Sequence, residues 1–175
     1  MKHVILIGYK SVGKSAIGAA LAHESRIDFV DLDDVVEEIY KESTGLDRNC
    51  RQIMLTLGQT AFREIEHKAL GRVLRNPNSS VISLGGGTPL LLQNKLLLKN
   101  HTVVQVTAPK NIVFERIMIN GKPAFFSDTE HPLTSFNKTW EDRSVVYEAL
   151  TNLRINNAGS LAEAVSSIKE KIKST

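Results

Sequence analysis

The sequence predicts an α/β fold in which helices cover both faces of a parallel β-sheet. Five short apolar segments alternate with segments whose apolar residues recur at helical spacing, a pattern typical of parallel sheets. The chain has 175 residues, of which 42% are hydrophobic and 23% charged, and this composition suffices for one well-buried core. We therefore expect one domain over residues 1–175, with its ligand site at the carboxyl ends of the strands.

The strands are predicted from short runs of aliphatic and β-branched residues that end at turn residues. These runs are residues 3–7, 27–32, 80–84, 102–107 and 153–156. The helices are predicted from apolar spacing of three and four residues. They are residues 16–23, 35–41, 53–57, 59–75, 93–99, 111–119, 136–150 and 161–172. Gly58 should separate two of these helices, and residues 120–135 have the length and composition of a lid loop.

The loop after the first strand has the pattern of a phosphate-binding loop. It reads Gly-Tyr-Lys-Ser-Val-Gly-Lys-Ser over residues 8–15 and lies between a predicted strand and a predicted helix. The glycines allow backbone N–H groups to face one point, at which the positive end of the helix is also directed. Lys14 adds a cation and Ser15 a hydroxyl ligand for Mg²⁺. The predicted phosphate contacts are Ser11, Val12, Gly13, Lys14, Ser15 and Ala16.

Two carboxylates follow the second strand. Asp31 and Asp33 stand at positions i and i+2, so their side chains should leave on one face toward the phosphate loop. One can order the water shell of Mg²⁺ and the other can accept a proton, as phosphoryl transfer requires. The alternative is that Asp33 or Asp34 caps the next helix. We expect one of the three aspartates to cap and two to face the site.

A triple glycine and several arginines are further candidates. Gly85, Gly86 and Gly87 end the third strand on the same edge as the phosphate loop, where a small ligand can approach the backbone. Arg63 and Glu66 have the spacing of a helical ion pair, which on a surface would be weak. Arg116 and Arg143 could equally be solvated helix residues.

Composition disfavours several classes of function. The net charge of +3 comes from dispersed basic residues, which does not indicate a nucleic-acid-binding protein. The longest apolar stretch, residues 88–98, is interrupted and too short to span a bilayer. With a single cysteine, Cys50, and no signal-peptide pattern, we expect a cytoplasmic protein. The five histidines lack metal-ligand spacing and are predicted to lie on the surface.

Four segments together resemble the shikimate kinase family. Besides the phosphate loop they are Phe-Val-Asp-Leu-Asp at 29–33, Gly-Gln-Thr-Ala-Phe-Arg-Glu-Ile-Glu at 58–66, and Ser-Leu-Gly-Gly-Gly-Thr at 83–88. The resemblance covers nearly the whole chain. It implies a nucleoside-monophosphate-kinase-like fold, a three-layer αβα sandwich with strand order 2-3-1-4-5. It also implies ATP-dependent phosphorylation of the 3-hydroxyl of shikimate, a step of aromatic amino acid biosynthesis.

The resemblance also implies residue roles. Asp33 would bind the reacting hydroxyl and act as base, while Arg63 and Arg143 would hold the substrate carboxylate. Ser15 and, through water, Asp31 would serve Mg²⁺. The remaining substrate-binding residues would be Glu66, Gly85, Gly86 and Gly87. A helical segment at about 33–62 would also bind the substrate. Arg116 would lie against adenine, and Lys122 would be a catalytic lid residue that contacts ATP. The partners would be ATP and shikimate, and the protein a monomer.

Three positions differ from the family pattern. Ala16 lacks the hydroxyl usual after the Lys-Ser pair, Lys122 replaces an arginine, and residues 156–159 lack basic side chains, which predicts a shallower adenine pocket. The alternative functions are another small-molecule kinase, for gluconate or a nucleotide, and a non-catalytic nucleotide-binding domain.

Overall fold

A computed structural model describes residues 2–121, 123–126 and 131–173. The strands are β1 (Val4–Ile7), β2 (Asp28–Asp31), β3 (Ser80–Ser83), β4 (Thr102–Thr107) and β5 (Leu153–Asn156). The helices are α1 (Lys14–Ser25), α2 (Leu32–Thr44), α3 (Cys50–Leu74), α4 (Leu92–Leu98), α5 (Lys110–Ile119), α6 (Pro132–Leu150) and α7 (Leu161–Lys173). A 3-10 turn covers Thr88–Leu90. The predicted alternation of strands and helices is confirmed.

The strands form one parallel sheet in the order β2-β3-β1-β4-β5, which confirms the order that the resemblance implied. Ile5 of the central strand β1 pairs with Ile82 on one side and Val103 on the other. Both faces of β1 are buried, so its sequence is continuously apolar rather than alternating. α1 packs on β2 and β3 and against α7, while α6 contacts β4. The three-layer sandwich is therefore confirmed.

Helix α1 approaches the sheet closely at Gly18. A Cβ atom at this position would lie 2.5 Å from Cε2 of Phe29 and 3.1 Å from Cδ1 of Leu6. The first distance is shorter than real Cβ atoms show, and the second is unusually tight. The nearer atom belongs to an aromatic ring that packs against the core. Glycine therefore sets how near α1 lies to β1 and β2.

Helix α3 is two helical segments joined at Gly58. This residue has φ 80° and ψ 168°, which is not helical, and it interrupts the segment as the sequence predicted. Asn49 caps the start of α3. Its side chain accepts from the N–H of Gln52, and the Gln52 side chain accepts from the N–H of Asn49. The break changes the direction of the chain, and Arg63 and Glu66 of the second segment lie at the carboxyl edge of the sheet.

Two predicted boundaries were wrong. Helix α6 begins at Pro132, so the predicted lid of residues 120–135 is too long by its last four positions. Proline is favoured in the first helical turn, since it lacks an N–H group and an N–H at that position would have no partner in the helix. Helix α2 begins at Leu32, three residues before its predicted start. One of the three aspartates caps it, as expected, and this is Asp31, whose Oδ1 accepts from the N–H of Asp33 at 3.2 Å.

The prediction that the histidines lie on the surface is wrong for His3. Its side chain is 1% exposed, and Nδ1 forms a 2.9 Å hydrogen bond with Oγ of Ser80. Its backbone N–H donates to Nδ1 of His101 at 3.1 Å. Burial lowers the pKa of His3. Across the described ranges, each helix is too short or too polar to cross a membrane.

Candidate active site

The carboxyl ends of the strands open into one cleft with a volume of about 410 Å³. Its walls come from the phosphate loop, the start of α2, helix α3, the glycine turn after β3, and the segment after α5. The predicted site residues that line it are Ser11, Lys14, Ser15, Asp31, Asp33, Arg63, Glu66, Gly85, Gly86, Gly87 and Arg143. The groups predicted for phosphate, metal and acceptor therefore share one cavity.

The other predicted ATP-binding residues lie elsewhere. Val12 belongs to the phosphate loop but is buried, and Ala16 is exposed on α1. Arg116 is exposed on α5, where Nη1 donates to the carbonyl oxygen of Ser11 at 3.4 Å. It therefore reaches the outside of the phosphate loop. Lys122 lies outside the described residues.

The phosphate loop is held by a residue that the sequence analysis did not identify. Ser11 and Gly13 have positive φ values of 65° and 98°, which turn the loop around its ligand-binding side. Nδ2 of Asn157, just after β5, donates to the carbonyl oxygen of Val12 at 2.8 Å, and a Cβ at Gly13 would collide with that amide. No local pattern indicates this contact, since only the sheet order brings β5 near the loop.

Lys14 is buried and folded over its own loop. Its Nζ donates to the carbonyl oxygens of Gly8 at 3.1 Å and Tyr9 at 3.0 Å. Burial lowers the pKa of Lys14 to about 8, although the charges of Asp33 and Asp31 act in the opposite direction. The ammonium group of Lys14 thus has neutral carbonyl acceptors. The phosphates of a bound nucleotide would replace them.

Ser15 and Asp31 fit a magnesium ion. Oγ of Ser15 donates to Oδ2 of Asp31 at 2.5 Å, and both residues line the cleft together with Lys14. A hydroxyl and a carboxylate are hard oxygen ligands of the kind Mg²⁺ prefers. Within the described ranges, no group of three His, Cys, Asp or Glu residues could hold a metal on its own. This suits an ion that completes its shell with water and substrate phosphates.

Asp33 has the properties of a general base. Its carboxylate faces the open cleft, yet the surrounding walls exclude enough water to raise its pKa to about 6, with the charge of Asp31 adding to the effect. A Cβ on Gly85 would lie 3.0 Å from Oδ1 of Asp33, so the carboxylate borders the glycine turn. A carboxylate with this pKa is ionised at neutral pH and is a stronger base than an ordinary aspartate.

Arg63 and Glu66 do not form a surface pair. Glu66 is 1% exposed and accepts from Nη1 of Arg63 and, at 2.6 Å, from Oγ1 of Thr88. The Arg63 guanidinium lies beneath Gly87, where any side chain would collide with it. The buried glutamate therefore fixes the orientation of an arginine that opens into the cleft.

Arg143 is also buried rather than solvated. Its guanidinium carbon lies 5.2 Å from the ring centroid of Tyr9 and 4.2 Å from that of Phe125. Nη1 would lie 3.0 Å from a Cβ on Gly86. Among the described residues, Nε has no hydrogen-bond partner. A buried cation with an unused donor, bordering a cleft, is prepared for an anionic group.

The cleft also includes residues that the sequence analysis did not assign to the site. Cys50 and Met54 of α3 line it, and Sγ of Cys50 donates to the carbonyl oxygen of Asp33 at 3.4 Å. Burial raises the pKa of this thiol, which keeps it neutral. The hydroxyl of Tyr147 donates to the carbonyl oxygen of Gly86 and supports the glycine turn. Helical spacing alone places Met54 on a buried face but does not distinguish a core from a cleft.

Comparisons with known proteins agree with this geometry. The family model described as shikimate kinase matches residues 10–173. The shikimate kinase of Sulfurihydrogenibium sp. (strain YO3AOP1) is 32% identical over 175 residues, covering 99% of each chain. That of Bacillus cereus (strain G9842) is 30% identical over 174 residues, covering 98% of this chain and 99% of the relative.

Among solved structures, the shikimate kinase from Acinetobacter baumannii in complex with shikimate superposes with a TM-score of 0.86. It is 22% identical and the match covers 99% of this chain and 94% of that one, so it supports the fold. Because the family model spans nearly the whole chain and the relatives match it from end to end, this chain belongs to the shikimate kinase family.

Proposed function

We propose that this protein transfers the γ-phosphoryl group of ATP to the 3-hydroxyl of shikimate. The observation that carries the proposal is the convergence of Arg63, Arg143 and Asp33 on one glycine turn, in the cleft that also holds Lys14. Two guanidinium groups and one basic carboxylate suit an acceptor that carries a carboxylate and several hydroxyls. Membership of the family supports the same acceptor.

The acceptor carboxylate would bind between the two arginines. Their guanidinium groups border adjacent glycines, Gly86 and Gly87, so both can reach one anion. Glu66 holds Arg63 in place, while Tyr9 and Phe125 hold Arg143. Because these supports exist without the ligand, little side-chain entropy remains to be lost on binding.

The acceptor hydroxyl would then lie beside Asp33. As its oxygen forms a bond to the γ-phosphorus, the bond from that phosphorus to the β–γ bridging oxygen breaks, and ADP leaves. The hydroxyl proton passes to the Asp33 carboxylate, which later releases it to solvent. Lys14 opposes the negative charge on the phosphate oxygens.

Ser15 would ligate the magnesium ion of the nucleotide, and Asp31 would hold its water shell. The ion, when bound, neutralises phosphate charge and aligns the β- and γ-phosphates. Ser15 and Asp31 already share a hydrogen bond, so their contribution is to place two oxygen atoms together below the phosphates.

Finer assignments belong to the same proposal. Arg116, which reaches the outer side of the phosphate loop at Ser11, would extend to the adenine of ATP. Lys122 would act from a lid that begins near residue 120, and the substrate-binding segment would cover about 33–62. The protein would act as a cytoplasmic monomer with a single domain.

Coupled measurement of ADP release tests the function. The acceptor panel contains shikimate, quinate, gluconate and nucleoside monophosphates, with an acceptor-free control. We expect turnover that depends on shikimate and is abolished by Lys14→Ala. A preference for gluconate or a nucleotide would identify another small-molecule kinase. ADP release that no acceptor accelerates would indicate a nucleotide-binding domain without transfer activity.

A further inference from the structure

We propose that Lys10 is a second phosphate-binding cation, which contacts the phosphoryl group while it passes from ATP to the acceptor. The inference rests on the proposed function and adds a catalytic residue to it. Lys10 is the third residue of the phosphate loop, and it is exposed while lining the cleft.

The position of Lys10 relates it to both substrates. Its backbone belongs to the loop that would wrap the nucleotide phosphates, and its backbone nitrogen would lie 3.5 Å from a Cβ on Gly86. The glycine turn that contains Gly86 is where Arg63 and Arg143 converge. Lys10 therefore lies where the phosphate loop borders the acceptor side of the cleft.

Electrostatic effects agree with this position. The positive charge of Lys10 acts to lower the pKa of Lys14, and it acts to lower the pKa of Asp33 as well. These two groups mark the ends of the transfer path, since Lys14 serves the phosphates and Asp33 the acceptor hydroxyl. Burial is the main cause of both pKa shifts, and the smaller effect of Lys10 agrees with its place in the cleft wall.

The other described cations of the cleft have defined positions. Lys14 is bonded to loop carbonyls, Arg63 to Glu66, and Arg143 is stacked between two rings. Arg51 extends toward the segment after α5, where its Nη1 would lie 3.5 Å from a Cβ on Gly121.

For the Lys10 ammonium, no hydrogen-bond or ion-pair acceptor exists within residues 2–121, 123–126 and 131–173. A lysine has a long flexible stem and a compact charge. Lys10 can therefore follow the phosphoryl group as it moves. The charge would be used mainly in the transition state, because transfer spreads negative charge over the phosphoryl oxygens.

An interaction formed mainly in the transition state raises kcat and kcat/KM together and leaves nucleotide affinity nearly unchanged. Removing one such charge or donor typically lowers kcat by about 10²-fold or more. Lys10→Met keeps the length of the side chain and deletes its charge, whereas Lys10→Arg keeps the charge. The matched control is Lys68→Met, an exposed lysine on α3 whose side chain is not part of the cleft wall.

Steady-state kinetics with shikimate as acceptor test the inference. Lys10→Met should lower kcat and kcat/KM for shikimate by about 30- to 100-fold, with ADP affinity changed less than about threefold. Lys10→Arg should recover most of the rate, and Lys68→Met should match the wild type. Binding of ADP with aluminium fluoride and shikimate, which resembles the transition state, should weaken in Lys10→Met far more than binding of ADP alone.

Three outcomes would overturn the inference while leaving the proposed function intact: wild-type kcat in Lys10→Met, a rate loss confined to KM for ATP, and equal loss of affinity for ADP and the transition-state analogue. If the wild type does not phosphorylate shikimate, the proposed function fails separately. The rate of acceptor-free ATP hydrolysis in Lys10→Met then decides the role of Lys10, since water also attacks the γ-phosphorus.

Discussion

Oγ of Ser15 and Oδ2 of Asp31 are joined by a hydrogen bond of 2.5 Å, which links the first turn of α1 to the residue that caps α2. The two oxygens proposed to serve magnesium are thus in contact before any ligand arrives. The same carboxylate accepts from the N–H of Asp33. Asp31 therefore couples the metal side of the cleft to the placement of the proposed base.

The first prediction concerns the magnesium requirement. Asp31→Asn should raise the Mg²⁺ concentration needed for half-maximal activity by about tenfold, because an amide orders the ion's water shell less well than a carboxylate. Asparagine is as good a helix cap as aspartate, so the melting temperature should stay nearly constant. Magnesium titrations at saturating ATP and shikimate measure the change.

Asp31→Ala is the matched comparison, since it removes the cap as well and should cost about 1 kcal/mol of stability. If the titration of Asp31→Asn superposes on that of the wild type, Asp31 serves α2 and not the metal.

The second prediction separates catalysis from stability at Asp33. Asp33→Asn should lower kcat by about 10²- to 10⁴-fold with little change in ATP affinity, because the amide cannot accept the hydroxyl proton. It should also raise the melting temperature at pH 7.5. The folded protein raises the pKa of Asp33 from 3.8 to about 6, so its ionised form is disfavoured on folding.

The stability effect has a defined pH window. Below pH 3.8 the carboxyl is protonated in both the folded and unfolded states, and the penalty is absent. It develops as the pH rises and is complete above about pH 6. Thermal melts of both proteins at pH 4 and 7.5 should therefore differ only at the higher pH. Loss of ATP affinity in Asp33→Asn would instead assign Asp33 to the metal.

The third prediction concerns the two arginines of the acceptor site. Arg63→Ala or Arg143→Ala should raise KM for shikimate by about 30-fold, equivalent to about 2 kcal/mol, and leave KM for ATP unchanged. Arg63→Lys should recover little, since lysine lacks the planar fork that binds a carboxylate. Arg72→Ala, on the same helix but paired with Glu42 at the surface, is the control.

Arg63→Ala also leaves Glu66 buried without its ion-pair partner, which should lower the melting temperature. Adding Glu66→Gln should restore the melting temperature but not KM. Were KM to recover together with stability, the role of Arg63 would be structural.

The fourth prediction concerns Lys122. If the lid residue acts mainly in the transition state, Lys122→Ala should lower kcat and kcat/KM together, whereas Lys122→Arg should keep or improve turnover. Kinetics at saturating ATP and shikimate measure both. An alanine variant with wild-type rates would show that another cation performs the lid function.

The fifth prediction is a bell-shaped pH profile. Activity should rise through about pH 6 as Asp33 ionises, and fall above about pH 8 as Lys14 loses its proton. Initial rates at low concentrations of both substrates report these groups in the free protein. Saturating ATP should shift the basic limb upward, because phosphates favour the charged form of Lys14. An unshifted basic limb would assign it to a different group.

Local patterns predicted the strands, most helices and the break at Gly58, because each depends on neighbouring residues. The start of α6 was missed although Pro132 marks it, since the loop was extended over residues with little periodicity. The sequence indicated that one of three aspartates caps α2 but not which one, because they lie close together and the helix begins before two of them.

Contacts between distant segments could not be predicted from local patterns. The burial of Arg143 depends on rings from the phosphate loop and from residue 125, and the burial of His3 depends on Ser80 in the adjacent strand. An arginine or histidine has the same appearance in sequence whether its neighbours are water or aromatic rings. The spacing of Arg63 and Glu66 indicated their ion pair, but neither that spacing nor the resemblance revealed Phe125 as a support of Arg143.

The close approach of α1 at Gly18 has a consequence for inherited or engineered variation. Lys14 and Ser15 lie on the first turn of the helix that Gly18 seats against Phe29 and Leu6. A substitution as small as Gly18→Ala must lift the helix from the sheet or displace the ring, and lifting the helix carries both active groups with it. A misplacement of about 1 Å can cost about 10²-fold in rate. Inactivating mutations should therefore be found at a position that no substrate touches.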